Sequence, residues 1–455
     1  MSLEVVILAA GKGQRMHSNL PKVLQDLGGK PLLAHVVKTA KQLKPEKIHI
    51  IYGHGGDKVK AHFASDHELS WVLQDIQLGT GHAVSQALPF CNPEHQILVL
   101  YGDVPLVSEK TLKQLIAKSS ENSLTLLTTN VSNPFGFGRI VRNEQGQVQT
   151  IVEEKDATLA QKAIKEIFTG ILIAPCQLLF KWLSQINNNN VQGEYLLPEV
   201  TACAIAQKVT VQTLSEATDL ETQGVNDKQQ LAALERAYQF EKACQLMAMG
   251  ATVRDPYRID IRGDVNISKD VMIDVNVIFE GDVRLGNNVK IGANCVIKNC
   301  NIADNVIIKE NSVLEQSHIS DGCVIGPFAR LRSGTFLDTN AQIGNFVEIK
   351  NSEIGSNSKA SHLTYLGDAM IGKNVNIGAG TITCNYDGVN KHQTHIGNNV
   401  FVGSGTQLVA PVKLANGTTI GAGSTITDST PENKLTLART RQVTIDDWQR
   451  PKKKE

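Results

Sequence analysis

The second half of the chain, from about residue 261 to residue 426, places an apolar side chain at every sixth position. The first track comprises Ile267, Ile273, Phe279, Leu285, Ile291 and Ile297, and two residues before each lies an apolar partner, from Val265 to Cys295. The period then shifts by one and resumes as Ile319, Ile325, Leu331, Leu337, Ile343 and Ile349. Later shifts give Ile354, Ala360 and Leu366, then Ile371, Ile377 and Thr383, and, after an interruption from Cys384 to His395, a last track from Ile396 to Ile426.

A period of six, with Gly, Ala, Asn, Ser and Cys between the apolar positions, is typical of a parallel β-helix. Each hexad forms one short strand and one corner, and three hexads close a triangular coil of about 18 residues. Asn and Gly suit the corners because a tight turn needs positive φ. Coils stack about 4.8 Å apart, so about nine of them predict a prism on the order of 40 Å tall. The apolar tracks fill its interior, which leaves chemistry to the places where the pattern breaks.

The first half alternates short apolar runs with segments of helical periodicity. The pattern predicts strands at 5–8, 48–52, 97–101, 124–129 and 171–174, and helices near 32–43, 59–63, 109–118 and 176–183. Such alternation indicates an open, doubly wound α/β domain, whose ligands bind at the carboxyl ends of the strands. A helix capped by Asp227 and ending at Gly250 is expected to follow. We therefore predict domains at 1–226 and 251–455, joined by a linker helix at 227–250.

Composition excludes several function classes. Lys plus Arg equals Asp plus Glu, at 45 each, so nothing indicates a nucleic-acid or membrane surface. We find no apolar run of membrane-spanning length and no signal-peptide pattern at the N-terminus. The eight cysteines are scattered without a C-x-x-C pair, which favours reduced thiols and a cytoplasmic location.

The turn after the first strand combines glycines with cations, namely Gly11, Gly13, Arg15 and Lys22. Glycine lets backbone amides approach a phosphate, and the two cations neutralise its charge. The spacing matches neither the P-loop nor the dinucleotide fingerprint. An ordinary tight turn would give a similar pattern, so this turn alone does not establish phosphate binding.

Asp103 follows the strand at 97–101, where a carboxylate is well placed to bind Mg²⁺ together with substrate phosphates. A helix N-cap would explain the same residue. Further polar, glycine-rich loops lie at 78–81, suited with Gln74 to a base edge, and at 135–139, suited to a sugar. Glu153 and the segments 193–195 and 224–226 complete the candidate set.

Three motifs carry a resemblance to a known family: LAAGKGxRM at 8–16 with LPKVL at 20–24, QLGTGH at 77–82, and YGDVP at 101–105. They closely resemble the sugar-nucleotide pyrophosphorylases. With the hexad domain attached, the chain is similar over nearly its whole length to the bacterial family of bifunctional UDP-N-acetylglucosamine pyrophosphorylases and glucosamine-1-phosphate N-acetyltransferases. The resemblance implies a left-handed β-helix, a homotrimer, and a place in peptidoglycan, cell-wall and lipopolysaccharide synthesis.

For the first domain the resemblance implies uridylyl transfer from UTP to N-acetylglucosamine 1-phosphate, with Mg²⁺ as cofactor. The sugar phosphate attacks the α-phosphorus and pyrophosphate leaves, so positioning and charge neutralisation do most of the catalysis. Arg15 and Lys22 would neutralise the phosphates, and Asp103 and Asn226 would bind Mg²⁺. The implied nucleotide-sugar residues are Leu8, Ala9, Ala10, Gly11, Lys22, Gln74, Gly79, Thr80, Tyr101, Gly102, Asp103, Gly138, Glu153 and Asn226.

Several positions depart from the family pattern, at Gln14, Phe168, 196–199 and 222–223. Phe168 stands where an Asn usually contacts the sugar. An unpaired sugar hydroxyl there would cost about 1–3 kcal/mol. We therefore expect sugar binding to be weakened or altered at this position.

In the hexad domain, Arg332 and Lys350 are 18 residues apart, so they should stack on adjacent coils as a basic strip suited to a phosphate. Acetylating an amine needs a base near neutral pH, and histidine suits because its ordinary pKa is about 6.5. His362 is the candidate, although a loop histidine is more often structural. Its offset of 12 from Lys350 places it on another face, which favours sites between the prisms of a homotrimer.

For this domain the resemblance implies acetyl transfer from acetyl-CoA to glucosamine 1-phosphate, with His362 as base. The implied sugar-phosphate residues are Arg332, Lys350, Tyr365, Asn376, Asn385 and Tyr386, and the implied acetyl-CoA residues are Ala379, Ser404, Ala422 and Arg439. We further predict that Glu348 orients His362.

Three alternatives stay open from the residues alone. A hexad-repeat carbonic anhydrase needs three zinc-binding histidines, but His392 and His395 share one inserted loop, which disfavours that site with His318. A structural or regulatory prism attached to a single-activity pyrophosphorylase would leave His362 without a role. A scaffold or lectin would bind UDP-N-acetylglucosamine without turnover.

Overall fold

The computed structural model describes residues 2–453. The chain divides into two compact units between Tyr238 and Gln239. This boundary lies inside the longest helix, Lys228–Ala248. Asp227 caps that helix as predicted, because its carboxylate accepts a hydrogen bond from the backbone amide of Gln230 at 2.8 Å.

Within the described residues, the first unit is built on a nine-stranded mixed sheet and a small hairpin. Its strands are β1 Leu3–Leu8, β2 Asp26–Leu27, β3 Lys30–Pro31, β4 Lys47–Tyr52, β5 Leu69–Leu73, β6 Gln96–Tyr101, β7 Ser123–Asn130, β8 Gly138–Arg142, β9 Val148–Val152, β10 Glu166–Pro175 and β11 Thr210–Leu214. The main strand order is β11-β7-β10-β6-β1-β4-β5, and β10 runs antiparallel to both of its neighbours on this path. The predicted doubly wound α/β architecture is confirmed, with a mixed sheet.

Helices cover both faces of this sheet. The helices among the described residues are α1 Leu32–Gln42, α2 Gly56–His62, α3 Thr80–Ala87, α4 Glu109–Lys118, α5 Leu159–Lys162, α6 Cys176–Leu183, α7 Val200–Ala206, α8 Asp219–Thr222 and α9 Lys228–Ala248. Short 3-10 turns lie at Gln14–Met16, Lys22–Leu24, Leu88–Phe90 and Leu197–Glu199. Side chains of β1 alternate between two apolar cores, with Val5 and Ile7 in one and Val6 and Leu8 in the other. The sheet is therefore buried on both faces, as its continuous apolar strands require.

The second unit is a parallel β-helix. Its strands before the long insertion are β12 Thr252–Val253, β13 Ile259–Ile267, β14 Met272–Ile273, β15 Val277–Leu285, β16 Lys290–Ile291, β17 Val296–Lys298, β18 Asn301–Ile302, β19 Ile307–Ile308, β20 Val313–Glu315, β21 Ser317–Ile319, β22 Val324–Ile325, β23 Arg330–Leu331, β24 Thr335–Leu337, β25 Gln342–Lys350, β26 Glu353–Ile354, β27 Lys359–Gly367, β28 Ala369–Ile371, β29 Asn376–Ile377 and β30 Ile382–Cys384. After the insertion follow β31 Thr394–Ile396, β32 Phe401–Val402, β33 Gln407–Val409, β34 Val412–Leu414, β35 Thr419–Ile420, β36 Thr425–Ile426 and β37 Leu435–Thr436.

Strand register explains each shift in the apolar period. Some coils advance by 18 residues, as between Ile261 and Phe279, and others advance by 17, as between Leu285 and Ile302. A coil of 17 residues loses one corner residue and keeps its inward side chains aligned. The insertion lengthens one coil so that Ile371 pairs with Ile396. The buried series also continues through Ile302, Ile308 and Leu314, which the sequence reading passed over.

Asparagines build one ladder of corners. Asn276, Asn294 and Asn311 all have φ near +60°. The side-chain amide of Asn276 donates to Asn294 at 2.9 Å, and that of Asn294 donates to Asn311 at 3.2 Å. Asparagine therefore provides both the positive φ that each corner needs and a side-chain amide that bonds to the next coil, which agrees with the predicted corner residues.

Several elements of the first unit were missed. The sequence does not predict β5, α3, the β8–β9 pair, α7 or β11, and it predicts a loop at 78–81 although α3 begins at Thr80. Among residues 2–453, all eight cysteines are free. Over the same residues, no helix combines the length and apolar character needed to cross a membrane.

Candidate functional site

A cavity of about 690 Å³ opens at the carboxyl ends of β1 and β6 in the first unit. The predicted residues that line it are Leu8, Ala9, Ala10, Gly11, Arg15, Lys22, Gln74, Gly79, Thr80, Tyr101, Asp103 and Asn226. They come from separate parts of the chain and meet because parallel strands end at the same edge of the sheet. Arg15 is exposed at the mouth of this cavity.

The glycine-rich turn is shaped by Gly13. Its φ is +58°, and a Cβ added there would lie 2.8 Å from the Cβ of Lys22. A side chain at this position would therefore meet both backbone strain and a steric contact. Glycine lets the turn pack directly against Lys22 and sets the direction in which the lysine enters the cavity.

Lys22, Asp103 and Asn226 converge inside the cavity. The Lys22 ammonium forms an ion pair with Asp103 and lies 3.4 Å from the side-chain oxygen of Asn226. The side chains of Lys22 and Asp103 are each 16% exposed. The side-chain oxygens of Asp103 and Asn226 thus both face the Lys22 ammonium, and such hard oxygen donors suit Mg²⁺. The Asp103 and Asn226 side chains therefore fit a magnesium ion, with Lys22 able to turn toward a phosphate.

Gln74 is held at the amino end of α3. Its amide nitrogen lies 3.2 Å from the carbonyl oxygen of Gly79 and 2.9 Å from Nδ1 of His82. Burial lowers the pKa of His82, so the neutral ring can accept this hydrogen bond. A Cβ on Gly79 would lie 2.5 Å from the carbonyl oxygen of Tyr195, which makes glycine necessary here.

Tyr101 connects the cavity to a second group of predicted residues. Burial, reinforced by the Asp103 charge, raises the pKa of Tyr101, and Glu153 contributes a smaller repulsion in the same direction. Burial also raises the pKa of Glu153 itself. A Cβ on Gly138 would lie 3.3 Å from a carboxylate oxygen of Glu153, so these two residues are neighbours. Gly138 and Glu153 therefore lie beside the cavity and outside its lining.

Gly102 and Phe168 are not among the residues that line the cavity. The amide of Gly102 donates to the carbonyl oxygen of Leu8 at 2.9 Å, which ties β1 to the Asp103 turn. Phe168 is 5% exposed, packs in an apolar core, and pairs in register with Gly138. The structure thus places Phe168 next to Gly138, within a buried strand.

Gly13 of the predicted turn also lines the cavity, as do residues to which the sequence assigns no role, namely Lys12, Gln14, Val23, Gln77, Ala83 and Glu194. Glu194 and Tyr195 reach it through a chain reversal: Tyr195 donates its amide to Leu78 at 2.8 Å and accepts from Gly81 at 2.8 Å. The Gly-Glu-Tyr signal at 193–195 had been noted without a role.

The second unit groups cations along one face of the prism. Arg332 and Lys350 stack on adjacent coils, because Leu331 pairs with Ile349. Lys391, from the inserted loop, lies against Lys350, and its ammonium lowers the pKa of Lys350, with Arg332 contributing in the same direction. Two carboxylates accompany these three cations, Glu348 beside Arg332 and Asp368 near Lys350, so the group keeps a net positive charge that favours an anionic ligand.

The same face carries the amide and phenol groups predicted for the sugar phosphate. Asp368 accepts hydrogen bonds from Asn385 at 2.5 Å and from Asn351 at 2.6 Å. A Cβ on Gly367 would lie 2.3 Å from the Tyr365 hydroxyl and 2.8 Å from the Asn385 amide nitrogen. Gly367 pairs with Lys350, so Tyr365 and Asn385 lie beside the cationic group. Tyr386 is 60% exposed at the start of the inserted hairpin.

His362 lies on the adjoining face. Strand β27 turns a corner at Leu363, where φ is +46°. Backbone hydrogen bonds connect this corner to the corners of the following coils. Gly380 donates to Leu363 at 3.0 Å, Gly405 to Ala379 at 2.7 Å and Gly423 to Ser404 at 2.8 Å. The predicted residues Ala379, Ser404 and Ala422 therefore form one column above the exposed His362.

The guanidinium of Arg439 donates to the carbonyl oxygen of Ala422 at 2.8 Å and so reaches the top of this column. Asn376 pairs with Lys359 and Phe401 on the face of His362, and not on the face of Lys350. The predicted sugar-phosphate residues are thus divided between two faces of the chain.

Within one chain the Glu348 carboxylate forms an ion pair with Arg332 at 2.9 Å, so its orienting role toward His362 stays a prediction. The three histidines of the zinc alternative are separated: His392 bonds Asp387 at 2.8 Å, His318 stacks on Phe336, and His395 pairs with Met370 and Lys413. Within the described part of the chain, no cluster of histidines fits that alternative.

Comparisons with known proteins agree with both units. The model of the MobA-like NTP transferase domain matches residues 5–161. The GMPPB C-terminal domain model matches residues 261–339, and the bacterial transferase hexapeptide (six repeats) model matches residues 393–428. Hexapeptide repeats are those of the left-handed parallel β-helix.

Similar proteins extend over the full chain. The Bifunctional protein GlmU of Marinobacter nauticus is 55% identical over 451 residues, covering 99% of this chain and 99% of its own length. Proteins of the same name from Nitrosospira multiformis and Pseudomonas putida are 54% and 53% identical over 453 residues, each covering at least 98% of both chains. This chain is therefore an enzyme of the bifunctional GlmU family, in which a nucleotidyltransferase unit precedes a hexapeptide-repeat transferase unit.

Proposed function

We propose that the protein acetylates glucosamine 1-phosphate with acetyl-CoA in its second unit and transfers uridylyl from UTP to N-acetylglucosamine 1-phosphate in its first. The products are UDP-N-acetylglucosamine and pyrophosphate, which would serve cell-wall and lipopolysaccharide synthesis. The functional division follows residues 1–226, a linker helix at 227–250, and residues 251–455. The observation that carries the first activity is the convergence of Lys22, Asp103 and Asn226 in one cavity.

In uridylyl transfer, an oxygen of the sugar phosphate bonds to the α-phosphorus of UTP while the bridging bond to the β-phosphate breaks. Arg15 and Lys22 neutralise the phosphates, and the backbone from Leu8 to Gly11 and the amino end of α3 hold the nucleotide. Asp103 and Asn226 would hold Mg²⁺, which supplies charge stabilisation when bound. Gly138 and Glu153 face the sugar from the adjoining strand pair.

In acetyl transfer, the substrate amine attacks the thioester carbonyl, a C–N bond forms, and the C–S bond to coenzyme A breaks. His362 accepts the amine proton as general base. Arg332 and Lys350 bind the phosphate, and Tyr365, Asn376, Asn385 and Tyr386 bind the sugar. Acetyl-CoA lies along the column of Ala379, Ser404 and Ala422, below Arg439.

A homotrimer through the β-helix explains why the two groups of residues lie on different faces of one chain. The corner between these faces carries Phe328, Phe346 and Leu363, which are 48%, 58% and 63% exposed. The two phenylalanine rings stack with centroids 5.3 Å apart. An exposed apolar ridge beside His362 suits contact with another copy of the chain. Sedimentation equilibrium is expected to give three times the chain mass of 49.4 kDa.

A coupled assay tests both activities. Glucosamine 1-phosphate, acetyl-CoA, UTP and Mg²⁺ are supplied together and then omitted one at a time, with thiol release and pyrophosphate release followed separately. His362→Ala is expected to reduce thiol release at least about 100-fold, the usual contribution of a general base, and to leave pyrophosphate release from N-acetylglucosamine 1-phosphate unchanged. Asp103→Asn is expected to have the opposite pattern.

Absence of thiol release from the wild type would end the acetyltransferase assignment and favour a structural β-helix. Binding of UDP-N-acetylglucosamine without pyrophosphate release would instead favour a scaffold. Equal thiol release from His362→Ala and the parent would remove His362 from the mechanism.

A further inference from the structure

A buried cluster of Glu4, His49 and Cys91 lies in the first unit, away from the nucleotide cavity. Glu4 is near the amino end of β1, four residues before Leu8 at the cavity. At about 3.3 Å per residue, roughly 13 Å of strand separates them. The register of β1 with β4 places His49 beside Val6, so the Glu4 and His49 side chains share one face of the sheet. None of these residues has a role in the proposed reactions.

The three side chains are close enough to share one ion. The carboxylate of Glu4, a ring nitrogen of His49 and the sulfur of Cys91 all lie within 4.8 Å of one another. A tetrahedral zinc with bonds of about 2.0–2.3 Å places its ligand atoms about 3.3–3.8 Å apart. Small side-chain movements would therefore bring all three atoms to bonding distance.

Hydrogen bonds already fix the orientation of the carboxylate. One oxygen of Glu4 lies 2.8 Å from Nε2 of His49, and the other accepts from the amide of Asn92 at 2.9 Å and contacts Nδ1 of His95 at 2.9 Å. Asn92 and His95 are outer partners of the kind that position metal-binding carboxylates.

His49 lacks one partner. Its ring is 0% exposed, and its Nδ1 has no hydrogen-bond partner. When Nε2 carries the proton toward Glu4, Nδ1 is a buried acceptor without a donor, which is unfavourable. Coordination through Nε2 would replace the hydrogen bond to Glu4 by a bond to the metal and leave the ring proton on Nδ1, so the ring would stay neutral.

We propose that Glu4, His49 and Cys91 form a site for Zn²⁺, with water in the fourth position. Oxygen, nitrogen and sulfur donors together select zinc over magnesium. The Cys91 thiol proton leaves to solvent on binding, so one thiolate and one carboxylate balance the two positive charges. A buried site that is neutral overall avoids the large cost of an isolated buried charge. The ion would tie β1 to β4 and to the turn at Leu88–Phe90.

Cobalt provides a spectroscopic test in the full-length protein. After chelator treatment, Co²⁺ is titrated into wild type, Cys91→Ser and Cys295→Ala. Cys295 is the matched control because it is also buried but belongs to the β-helix. Wild type and Cys295→Ala are expected to show a thiolate-to-cobalt absorption band that saturates at one equivalent and disappears when Zn²⁺ is added. Cys91→Ser is expected to lose this band.

Two further variants keep the test decisive. Asp103→Asn should retain the band, which separates this site from the proposed magnesium site. Glu4→Gln should weaken cobalt binding at least tenfold. Thermal unfolding verifies that each variant is folded, and pyrophosphate release is a second check for every variant except Asp103→Asn. A wild type without the band, or a band that persists in Cys91→Ser, would overturn the proposal and leave a hydrogen-bonded cluster without metal. Failure of the uridylyl-transfer proposal would appear in the activity assay alone and would not alter the cobalt spectrum.

Discussion

Gly13→Ala tests how the glycine-rich turn positions Lys22. The added methyl group would stand 2.8 Å from the Cβ of Lys22, whereas ordinary contacts at a Cβ are 3.4–4 Å. To remove this steric overlap, the turn and Lys22 would have to move apart by about 0.6–1 Å, given the usual packing distances between carbon atoms. Because Lys22 pairs with Asp103 and Asn226, its ammonium would move relative to both of them.

The structure gives the size of two effects. A φ of +58° costs a non-glycine residue about 1–2 kcal/mol, partly offset by about 0.4–1 kcal/mol from the restricted unfolded chain. The net loss of about 1 kcal/mol lowers Tm by about 2–4 °C. For a pair of unit charges near the protein surface, separation from 4 to 5 Å weakens attraction by about 0.8 kcal/mol, or about fourfold in rate. We expect kcat/KM for uridylyl transfer to fall about three- to tenfold.

The assay measures pyrophosphate release, thiol release and thermal unfolding on the same preparations. Thiol release is an internal control, because the acetyl-transfer residues belong to the other unit. Gly13→Asn separates the two effects, since Asn tolerates left-handed backbone but retains the Cβ contact. It should restore Tm more than it restores kcat/KM.

Two results would refute this reasoning. An unchanged Tm in Gly13→Ala would contradict the strain at this turn. A lowered Tm with kcat/KM within twofold of the parent would show that the position of Lys22 does not depend on Gly13.

Three further predictions concern single side chains. Glu153→Gln is expected to raise the KM for N-acetylglucosamine 1-phosphate and to raise Tm at pH 8 but not at pH 3. Burial raises the pKa of Glu153, so ionisation of this carboxyl destabilises the parent only above the ordinary pKa of about 4.3. An equal Tm difference at both pH values would contradict this. Lys350→Ala is expected to raise the KM for glucosamine 1-phosphate at least about tenfold at low salt, the loss of one charge-assisted contact, and less at 0.5 M salt; the idea fails if KM at low salt is unchanged. Phe168→Asn is expected to lower the KM for N-acetylglucosamine 1-phosphate by providing about 1–3 kcal/mol of hydrogen bonding, while the loss of a buried ring lowers Tm; a KM equal to that of the parent would exclude this role.

The β-helix could be predicted in unusual detail because its order is local. Each inward residue, such as Ile325 or Ile343, is followed six positions later by the next, and each corner has its own residue type. The sequence could not show which outward side chains pair. Glu348 bonds Arg332 because both point outward from adjacent coils of the same face, which depends on register and not on composition.

In the first unit, prediction succeeded where function or capping imposes a local pattern, as at Gly11, Gly13 and Asp227. It failed for β5 and for the β8–β9 pair, whose signals are short and whose partners lie far along the chain. Propensity is a weak guide for such strands because their stability comes from packing against neighbours.

The sequence by itself determined the two architectures and the residue types at the predicted sites of chemistry. The apolar period and the corner residues repeat every six to 18 positions, so they can be recognised in the sequence. Only the tertiary structure decided that Lys22 lies between Asp103 and Asn226, that Lys391 joins Lys350, and that Ala379 stands above His362. These contacts depend on strand order and coil register, which bring together residues that no local pattern connects.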